Sequence, residues 1–404
     1  MSLAVQIRLS RDDAGLAPRL RDCLVGGEER RGLSREDALF LLRHAETDVL
    51  LETAGAVRDR MKGRIVSYSK KVFIPLTHLC RDYCGYCTFR SDPIPGHAAY
   101  MTPDEVLAVA EAGKRAGCKE ALFSLGDQPE KIFPEAREAL ARLGYARTLD
   151  YLAAMSKLVL KKTGLLPHSN PGVMDSEDLA QLRRSNISLG LMLESISPRL
   201  RHRGAAHWRA PDKAPALRLR TIEEAGRQNV AFTTGILIGI GETEEERVDS
   251  LLAIRGLHER HGHIQEVLIQ PFRAKSGTRM ADGTEPSLDD LQRTIAIARL
   301  ILGDMNVQSP PNLVAEDYPQ LLDAGINDWG GISPVTQDFI NPEAAWPQIA
   351  MLDQRTRASG FVLRERLAIY PEFARDGRFV NANLSIPVDR QRDADFYAKR
   401  PAPC

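Results

Sequence analysis

The chain has 404 residues, 43% of them hydrophobic, and its 54 lysines and arginines balance 54 aspartates and glutamates. This composition is sufficient for a large core, and no basic or acidic run points to a nucleic-acid or membrane partner. No apolar run reaches the roughly 18 residues of a membrane span, and residues 1–9 lack the apolar core of a signal peptide. The six cysteines are unlike a secreted disulfide framework, so we expect a reducing cytoplasm.

The first 66 residues predict an N-terminal helical extension. Residues 1–33 are polar and irregular in pattern. Ser34 and Asp37 then resemble a capping box ahead of a helix over 35–43, and a second helix is expected over 47–61. These helices precede the main domain and are expected to pack across one end of it.

From Val72 onward, short apolar runs alternate with amphipathic segments. Strands are predicted over 72–77, 120–125, 165–169, 188–194, 231–240 and 265–270. Helices are predicted between them over 103–116, 149–163, 176–184, 216–228 and 244–260. Such alternation with short connections indicates parallel strands and right-handed crossovers. We therefore predict an α/β fold, a TIM-type (β/α) barrel of at least six units over 67–372, which helical segments 287–303 and 315–324 could complete to eight.

Three further segments are predicted to be irregular. Residues 127–147 and 195–215 have the composition of long solvated loops, the second of them rich in arginine. The C-terminal stretch, 373–404, is polar and rich in Arg and Asp, so we expect a loosely packed tail there.

The most informative motif is Cys80, Cys84 and Cys87, spaced Cys-x3-Cys-x2-Cys directly after the first strand. Three soft thiolates on one loop suit three corners of a 4Fe-4S cluster and leave one iron open to another ligand. A closed zinc site would need a fourth protein ligand, such as His78, His97 or Cys118. In TIM-type barrels the loops after the strands carry the chemistry, so this loop is expected at the mouth.

The cysteine motif and the segments that follow it resemble the radical S-adenosylmethionine superfamily. The supporting segments are the turn at 124–130, the acid that ends strand four, an arginine in the next helix, and the glycine-rich run 235–242. The resemblance implies that Cys80, Cys84 and Cys87 ligate a 4Fe-4S cluster whose open iron binds S-adenosylmethionine. One-electron reduction by an external reductant would then release a 5′-deoxyadenosyl radical.

The resemblance also implies contacts to S-adenosylmethionine. Gly126 and Asp127 occupy a Gly-Gly-Glu-like turn that faces the methionine amino group, with Asp127 in place of the second glycine. Glu194 would meet the ribose hydroxyls or the amino group. Arg218 would bind the methionine carboxylate, with Arg220 as the competitor. Contacts near the adenine are implied for Tyr86, Gly239, Gly241 and Glu242.

Residues 73–89, 124–130, 232–243 and 327–334 resemble, more narrowly, the first-subunit family of 7,8-didemethyl-8-hydroxy-5-deazariboflavin (FO) synthase. Tyr86 and Thr88 flank the third cysteine, where the sister subunit typically has Phe and Ala. The resemblance implies a carbon–nitrogen (ammonia) lyase of coenzyme F-420 biosynthesis. It would take 5-amino-5-(4-hydroxybenzyl)-6-(D-ribitylimino)-5,6-dihydrouracil from the second subunit, close the central ring to give FO, and release ammonia.

Two residues are candidates for proton transfer to or from this substrate. His168 ends strand three, and Asp338 lies in the polar stretch 312–341 that is expected to reach the cavity. Hydrogen bonding for His168 and capping for the acids are the structural alternatives. Three other functions remain open: the sister subunit, a radical enzyme of the futalosine pathway, and a non-catalytic iron–sulfur protein with a fourth cluster ligand.

Overall fold

The computed structural model describes residues 18–19, 22–23 and 32–399. A closed barrel of eight parallel strands forms its centre. The strands are β1 Ile65–Thr77, β2 Glu120–Leu125, β3 Leu166–Asn170, β4 Ser188–Gly190, β5 Phe232–Ile238, β6 Ile264–Pro271, β7 Val307–Gln308 and β8 Asp328–Ile332. Each strand pairs with the next, and β1 pairs with both β2 and β8, which closes the sheet. The predicted α/β barrel is confirmed, with all eight strands present.

Helices surround the barrel. Two precede it, α1 Arg35–His44 and α2 Thr47–Lys62. Ser34 caps α1, since its hydroxyl accepts the Asp37 N–H at 3.1 Å. The helices between strands are α3 Pro103–Arg115, α4 Pro134–Leu143, α5 Thr148–Thr163, α6 Ser176–Leu182, α7 Pro215–Arg227, α8 Glu244–His261 and α9 Leu288–Leu302. The last three are α10 Ile349–Ala358, α11 Pro371–Arg375 and α12 Ala382–Gln391.

Strand β1 begins earlier than the sequence predicts. Its first residues, Ile65–Ser69, pair in parallel with a ninth strand, β9 Val362–Arg366, outside the closed ring. The segment before Val72 alternates apolar residues with Ser67, Ser69 and Lys71, whose side chains bond to buried acids of neighbouring strands. A strand whose inner face is polar lacks the apolar run on which the prediction depended.

Other boundaries differ for local reasons. The predicted loop 127–147 contains α4, which begins at Pro134 and ends at Gly144 in a left-handed conformation with φ of 86°. Strand β4 ends at Gly190 rather than at residue 194. Residues Ala315–Leu321 form a 3-10 helix because Pro319 lies inside the segment.

The prediction of a loosely packed C-terminal tail was wrong for residues 373–399. Phe373, Phe379, Leu384 and Val388 are buried in a hydrophobic cluster that also includes residues at the start of β3, β4 and β5, namely Leu166, Ile187 and Ala231. The segment therefore packs against the N-terminal ends of these strands. The predicted domain boundary at residue 372 falls inside α11. In the part of the chain that the structure describes, no helix has the length and apolar character needed to cross a bilayer.

The packing of α12 can be tested by a matched pair of substitutions on one helix. Leu384 is fully buried, whereas Ile386 is 64% exposed. We expect Leu384→Ala to lower the free energy of unfolding by about 2–5 kcal/mol, because it leaves a cavity under the barrel. Ile386→Ala is expected to change it far less. Denaturant unfolding measures both, and equal effects would contradict the packed C-terminal segment.

Candidate active site

The cysteine loop follows β1 and is fixed to the end of β2. The Gly126 N–H donates to Thr77 O at 3.0 Å, and the Arg81 N–H donates to Asp127 O at 3.1 Å. A Cβ atom at position 126 would lie 2.0 Å from Leu79 O and 2.6 Å from Cys80 Cβ. Only glycine therefore permits this approach between the two loops.

Cys80, Cys84 and Cys87 are free thiols that line one cavity of about 370 Å³ at the mouth of the barrel. The backbone N–H groups of Asp82 and Asp127 point to Cys80 Sγ, at 3.4 and 3.2 Å. Burial raises the pKa of Cys80 to about 12, so binding of a metal must release its proton. N–H donors at a cysteine sulfur are a feature that tunes iron–sulfur clusters.

The zinc alternative finds no support in this geometry. His78, His97 and Cys118 are not among the residues that line the cavity. His78 Nδ1 is instead 2.8 Å from Phe89 O. Among the described residues, the only trio of candidate ligand atoms within 4.8 Å of one another belongs to three aspartates. The three sulfurs are therefore spread more widely than a single tetrahedral ion with Zn–S bonds of about 2.3 Å would hold them.

These three buried aspartates, Asp82, Asp127 and Asp212, lie beside the cysteine loop. Asp82 accepts the Asp212 N–H at 3.0 Å, and Arg81 pairs with the Asp212 carboxylate. Asp127 Oδ2 accepts the Val173 N–H at 3.0 Å, while Oδ1 is buried with no partner among the described residues. Burial, together with Asp212 and Asp82, raises the pKa of Asp127 to about 8. An orphaned buried acceptor is suited to a ligand that donates, such as an ammonium group.

Glu194 and Arg218 face the same cavity, and Lys213 joins them. Glu194 adopts a left-handed conformation with φ of 65°, and its carboxylate accepts from Lys213 Nζ at 2.5 Å. Arg218 is buried, and its guanidinium donates to Asp212 O at 2.9 Å and to Met192 O. Arg220 is exposed and does not line the cavity, so the geometry favours Arg218 over its competitor. Lys213 lies in no motif, and sequence analysis missed it.

Tyr86 lies at the cavity wall against His207. The two rings form an edge contact with centroids 5.8 Å apart, and the Tyr86 hydroxyl is 3.2 Å from His207 Nε2. Burial, with Lys213 and Arg218 nearby, lowers the pKa of His207 to about 2, so this imidazole is neutral at pH 7. Tyr86 also packs against an apolar cluster that includes Leu237 and Phe272. An aromatic face at this position is available for a planar ligand.

Gly239, Gly241 and Glu242 form the turn after β5, outside the cavity lining. The two glycines have φ of 88° and 98°. The Glu242 carboxylate accepts the N–H groups of Gly239 and Ile240, both at 2.8 Å, and pairs with Arg247 at 2.7 Å. These contacts give Glu242 a structural role in the turn, and a direct contact of the three residues with a cofactor stays a prediction.

His168 lies on β3 and lines the cavity. His168 Nδ1 lies 2.6 Å from Ser188 Oγ, whose hydroxyl is 2.5 Å from Ala368 O. Nε2 lies 3.0 Å from Asn170 Oδ1, an oxygen that can only accept, so a hydrogen on Nε2 satisfies this contact. Burial lowers the pKa of His168 to about 4, which keeps the ring neutral at pH 7.

Asp338 also lines the cavity, but its oxygens are occupied. Oδ1 accepts the backbone N–H groups of Ile340 and Asn341 at 2.9 and 3.1 Å. Oδ2 accepts from the amides of Asn312 and Asn341 at 3.0 and 2.9 Å. Four donors on one carboxylate favour an anchor for this loop over the proton transfer that the sequence predicted.

Comparison with known proteins identifies the family. A model of the radical SAM superfamily matches residues 74–254. The chain is 51% identical over 335 residues to 7,8-didemethyl-8-hydroxy-5-deazariboflavin synthase of Methanopyrus kandleri, covering 83% of this chain and all of that protein. The chain belongs to the FO synthase family of radical SAM proteins. It is also 49% identical to FO synthase of Nocardia farcinica over 89% of this chain, but spans only 43% of that longer protein.

Two solved structures share the fold of this family member. The FeFe-hydrogenase maturase HydG from Carboxydothermus hydrogenoformans superposes with a TM-score of 0.69 at 16% identity, over 92% of this chain and 87% of HydG. Methylornithine synthase superposes with a TM-score of 0.66 at 20% identity, over 84% of this chain and 97% of that one. At these identities the likeness concerns the fold alone.

The close contact at Gly126 gives a test of how the cysteine loop is held in this FO synthase relative. We expect Gly126→Ala to displace the loop, because the added methyl group overlaps Leu79 and Cys80, at a cost of about 1–3 kcal/mol. Less iron should then bind on anaerobic reconstitution. Gly377→Ala is the control, since open space surrounds that position. Equal iron content in both variants would show that the approach at Gly126 does not control the loop.

Proposed function

We propose that this chain is the ring-closing component of FO synthesis. It converts 5-amino-5-(4-hydroxybenzyl)-6-(D-ribitylimino)-5,6-dihydrouracil to FO and releases ammonia, as a carbon–nitrogen lyase of coenzyme F-420 biosynthesis. The observation that supports this most strongly is 51% identity over the full length of the Methanopyrus kandleri FO synthase, together with three free cysteines around one cavity. Tyr86 and Thr88 favour this component over its sister.

The residues at the mouth fit the cofactors of the family. Cys80, Cys84 and Cys87 would hold a 4Fe-4S cluster, and the orphaned Asp127 Oδ1 would accept from the amino group of S-adenosylmethionine. When bound, these cofactors supply a carbon-centred radical able to abstract a hydrogen atom from the substrate. The protein's own part is to hold the reactants in line and to exclude water.

Charged side chains at the mouth would orient the cofactor. Arg218 is held by two backbone carbonyls, so its guanidinium is already positioned to face a carboxylate. Lys213 compensates Glu194, which is only 8% exposed, and leaves its second oxygen for a hydroxyl or amino group. Deeper in the cavity, the neutral ring of His168 would take a proton that ring closure releases.

One experiment tests the assignment as a whole. The reconstituted protein is incubated anaerobically with the second FO synthase subunit, tyrosine, 5-amino-6-(D-ribitylamino)uracil, S-adenosylmethionine and an external one-electron reductant. We expect the fluorescence of FO to appear only when both proteins are present. Turnover of tyrosine by this chain alone would instead identify it as the sister component. Absence of FO when both proteins are present would contradict FO synthesis.

The cluster ligands can be tested by a pair of cysteine substitutions. Cys84→Ala should abolish the visible absorbance of a full 4Fe-4S cluster, because one of three thiolates is lost. Cys118→Ala serves as the control, since Cys118 is buried away from the cavity. S-adenosylmethionine should also change the EPR spectrum of the reduced wild-type cluster. An unchanged spectrum would favour a non-catalytic cluster with four protein ligands. Loss of the cluster in Cys118→Ala would indicate that Cys118 is the fourth ligand.

Arg218 and Arg220 form a second matched pair, two residues apart on α7. We expect Arg218→Ala to weaken binding of S-adenosylmethionine at least about tenfold, the loss expected for one charge-assisted hydrogen bond. Cluster absorbance should persist in this variant. Arg220→Ala should bind the cofactor as the wild type does, because Arg220 is exposed. The measurement is equilibrium binding of S-adenosylmethionine to the reconstituted proteins. Weaker binding in Arg220→Ala than in Arg218→Ala would assign the cofactor contact to Arg220.

A further inference from the structure

The interior of the barrel below the cysteine loop is polar. Barrels of this type are commonly filled by Val, Ile and Leu. Here the cavity ends on polar side chains from β1, β2, β3, β5, β6, β7 and β9. We call these residues the polar floor: Lys71, Glu120, His168, Thr233, Glu266, Gln308 and Arg366. All seven are less than 9% exposed.

The charges of the polar floor compensate one another. Lys71 Nζ lies 2.7 Å from Glu120 Oε1, and Arg366 Nη2 lies 3.1 Å from Glu266 Oε1. Arg366 also pairs with Asp328 at 2.7 Å. Within the polar floor, two carboxylates thus face two cations, since Asp328 does not line the cavity; burial raises the pKa of Glu266. A compensated site favours a neutral ligand rich in hydroxyl or N–H groups over an ion, since an added charge would have no counter-ion.

Gln308 carries the observation that points to a ligand. Its Oε1 is buried with no hydrogen-bond partner among the described residues, although the side chain lines the cavity and is only 2% exposed. Gly330 makes room for this amide, because a Cβ atom at position 330 would lie 2.2 Å from Gln308 Nε2. Buried acceptors are rarely left unpaired, so a donor from a bound molecule is the expected partner.

Above the polar floor, the cavity wall becomes apolar and aromatic. On β1, Phe73 follows Lys71 two residues closer to the mouth, about 7 Å along the strand. On β2 and β6, Leu122 and Leu268 follow Glu120 and Glu266 in the same way. The Phe73 ring stacks on Trp346, with centroids 5.3 Å apart and planes 5° apart. The cavity thus passes from polar floor to flat apolar walls to the cysteine loop.

We propose that the polar floor binds the ribityl chain of the substrate, with Gln308 Oε1 accepting a hydrogen bond from it. The aromatic part of the molecule then lies between the apolar walls, towards the cysteine loop. This placement rests on the proposed function and adds to it the orientation of the bound substrate. The reverse direction would bury a phenol among compensated charges and leave the hydroxyl groups against Phe73 and Trp346.

The test compares FO with an analogue that carries a methyl group in place of the ribityl chain. Anaerobic titration of the cluster-loaded protein is followed by fluorescence anisotropy of each ligand. We expect the wild type to bind FO at least about tenfold more tightly than the methyl analogue, because several hydroxyl contacts are lost in the latter. Gln308→Leu should weaken FO binding about three- to tenfold and leave the affinity for the methyl analogue within about twofold.

Gln292→Leu is the matched control. Gln292 is a buried glutamine of α9 that donates to Gln320 O at 3.2 Å, away from the cavity. Its substitution should leave both affinities unchanged. Equal affinity of the wild type for FO and the methyl analogue, or equal loss for both ligands in Gln308→Leu, would overturn the placement. If the protein still forms FO, only the placement fails, whereas failure to bind either ligand contradicts the proposed function as well.

Discussion

The site depends on one close approach, where the end of β2 touches the cysteine loop. Gly126 permits this approach, and two strand-end hydrogen bonds maintain it. The same contact brings the Asp127 N–H to Cys80 Sγ and turns the Asp127 carboxylate towards the cavity. The cysteine loop and the turn after β2, far apart in the chain, thereby become one surface. Such preorganisation lowers the entropy lost when ligands bind.

Buried charge is the second constraint, and the fold handles it differently at the two ends of the cavity. At the mouth, three aspartates crowd together, and Asp127 keeps an unpaired oxygen. This arrangement is costly until a cation or donor arrives. In the polar floor, Lys71 and Arg366 each have acidic partners, so the charges are satisfied without a ligand. One end is therefore suited to a charged cofactor, and the other to a neutral polyol.

How much the sequence could predict depended on the kind of signal. The cysteine spacing and the strand–helix alternation are local patterns, and both led to the correct barrel and to the position of the loop at its mouth. Lys213 and Gln308 carry no motif, since each belongs to the site only through the closure of the barrel. Part of β1 was missed, because the polar residues Ser67, Ser69 and Lys71 interrupt the apolar run that marks a strand.

The C-terminal segment shows why such a polar interior can persist. Along 366–369 the chain faces both sides: Arg366 and Ala368 line the cavity, while Leu367, Ala368 and Ile369 belong to the hydrophobic cluster beneath it. The helices after residue 370 extend that cluster beneath the N-terminal ends of the strands. Arg366, Glu266 and Asp328 are themselves buried, which lowers the dielectric around their ion pairs and strengthens them. A stretch whose composition suggests a tail therefore packs beneath the base of the cavity.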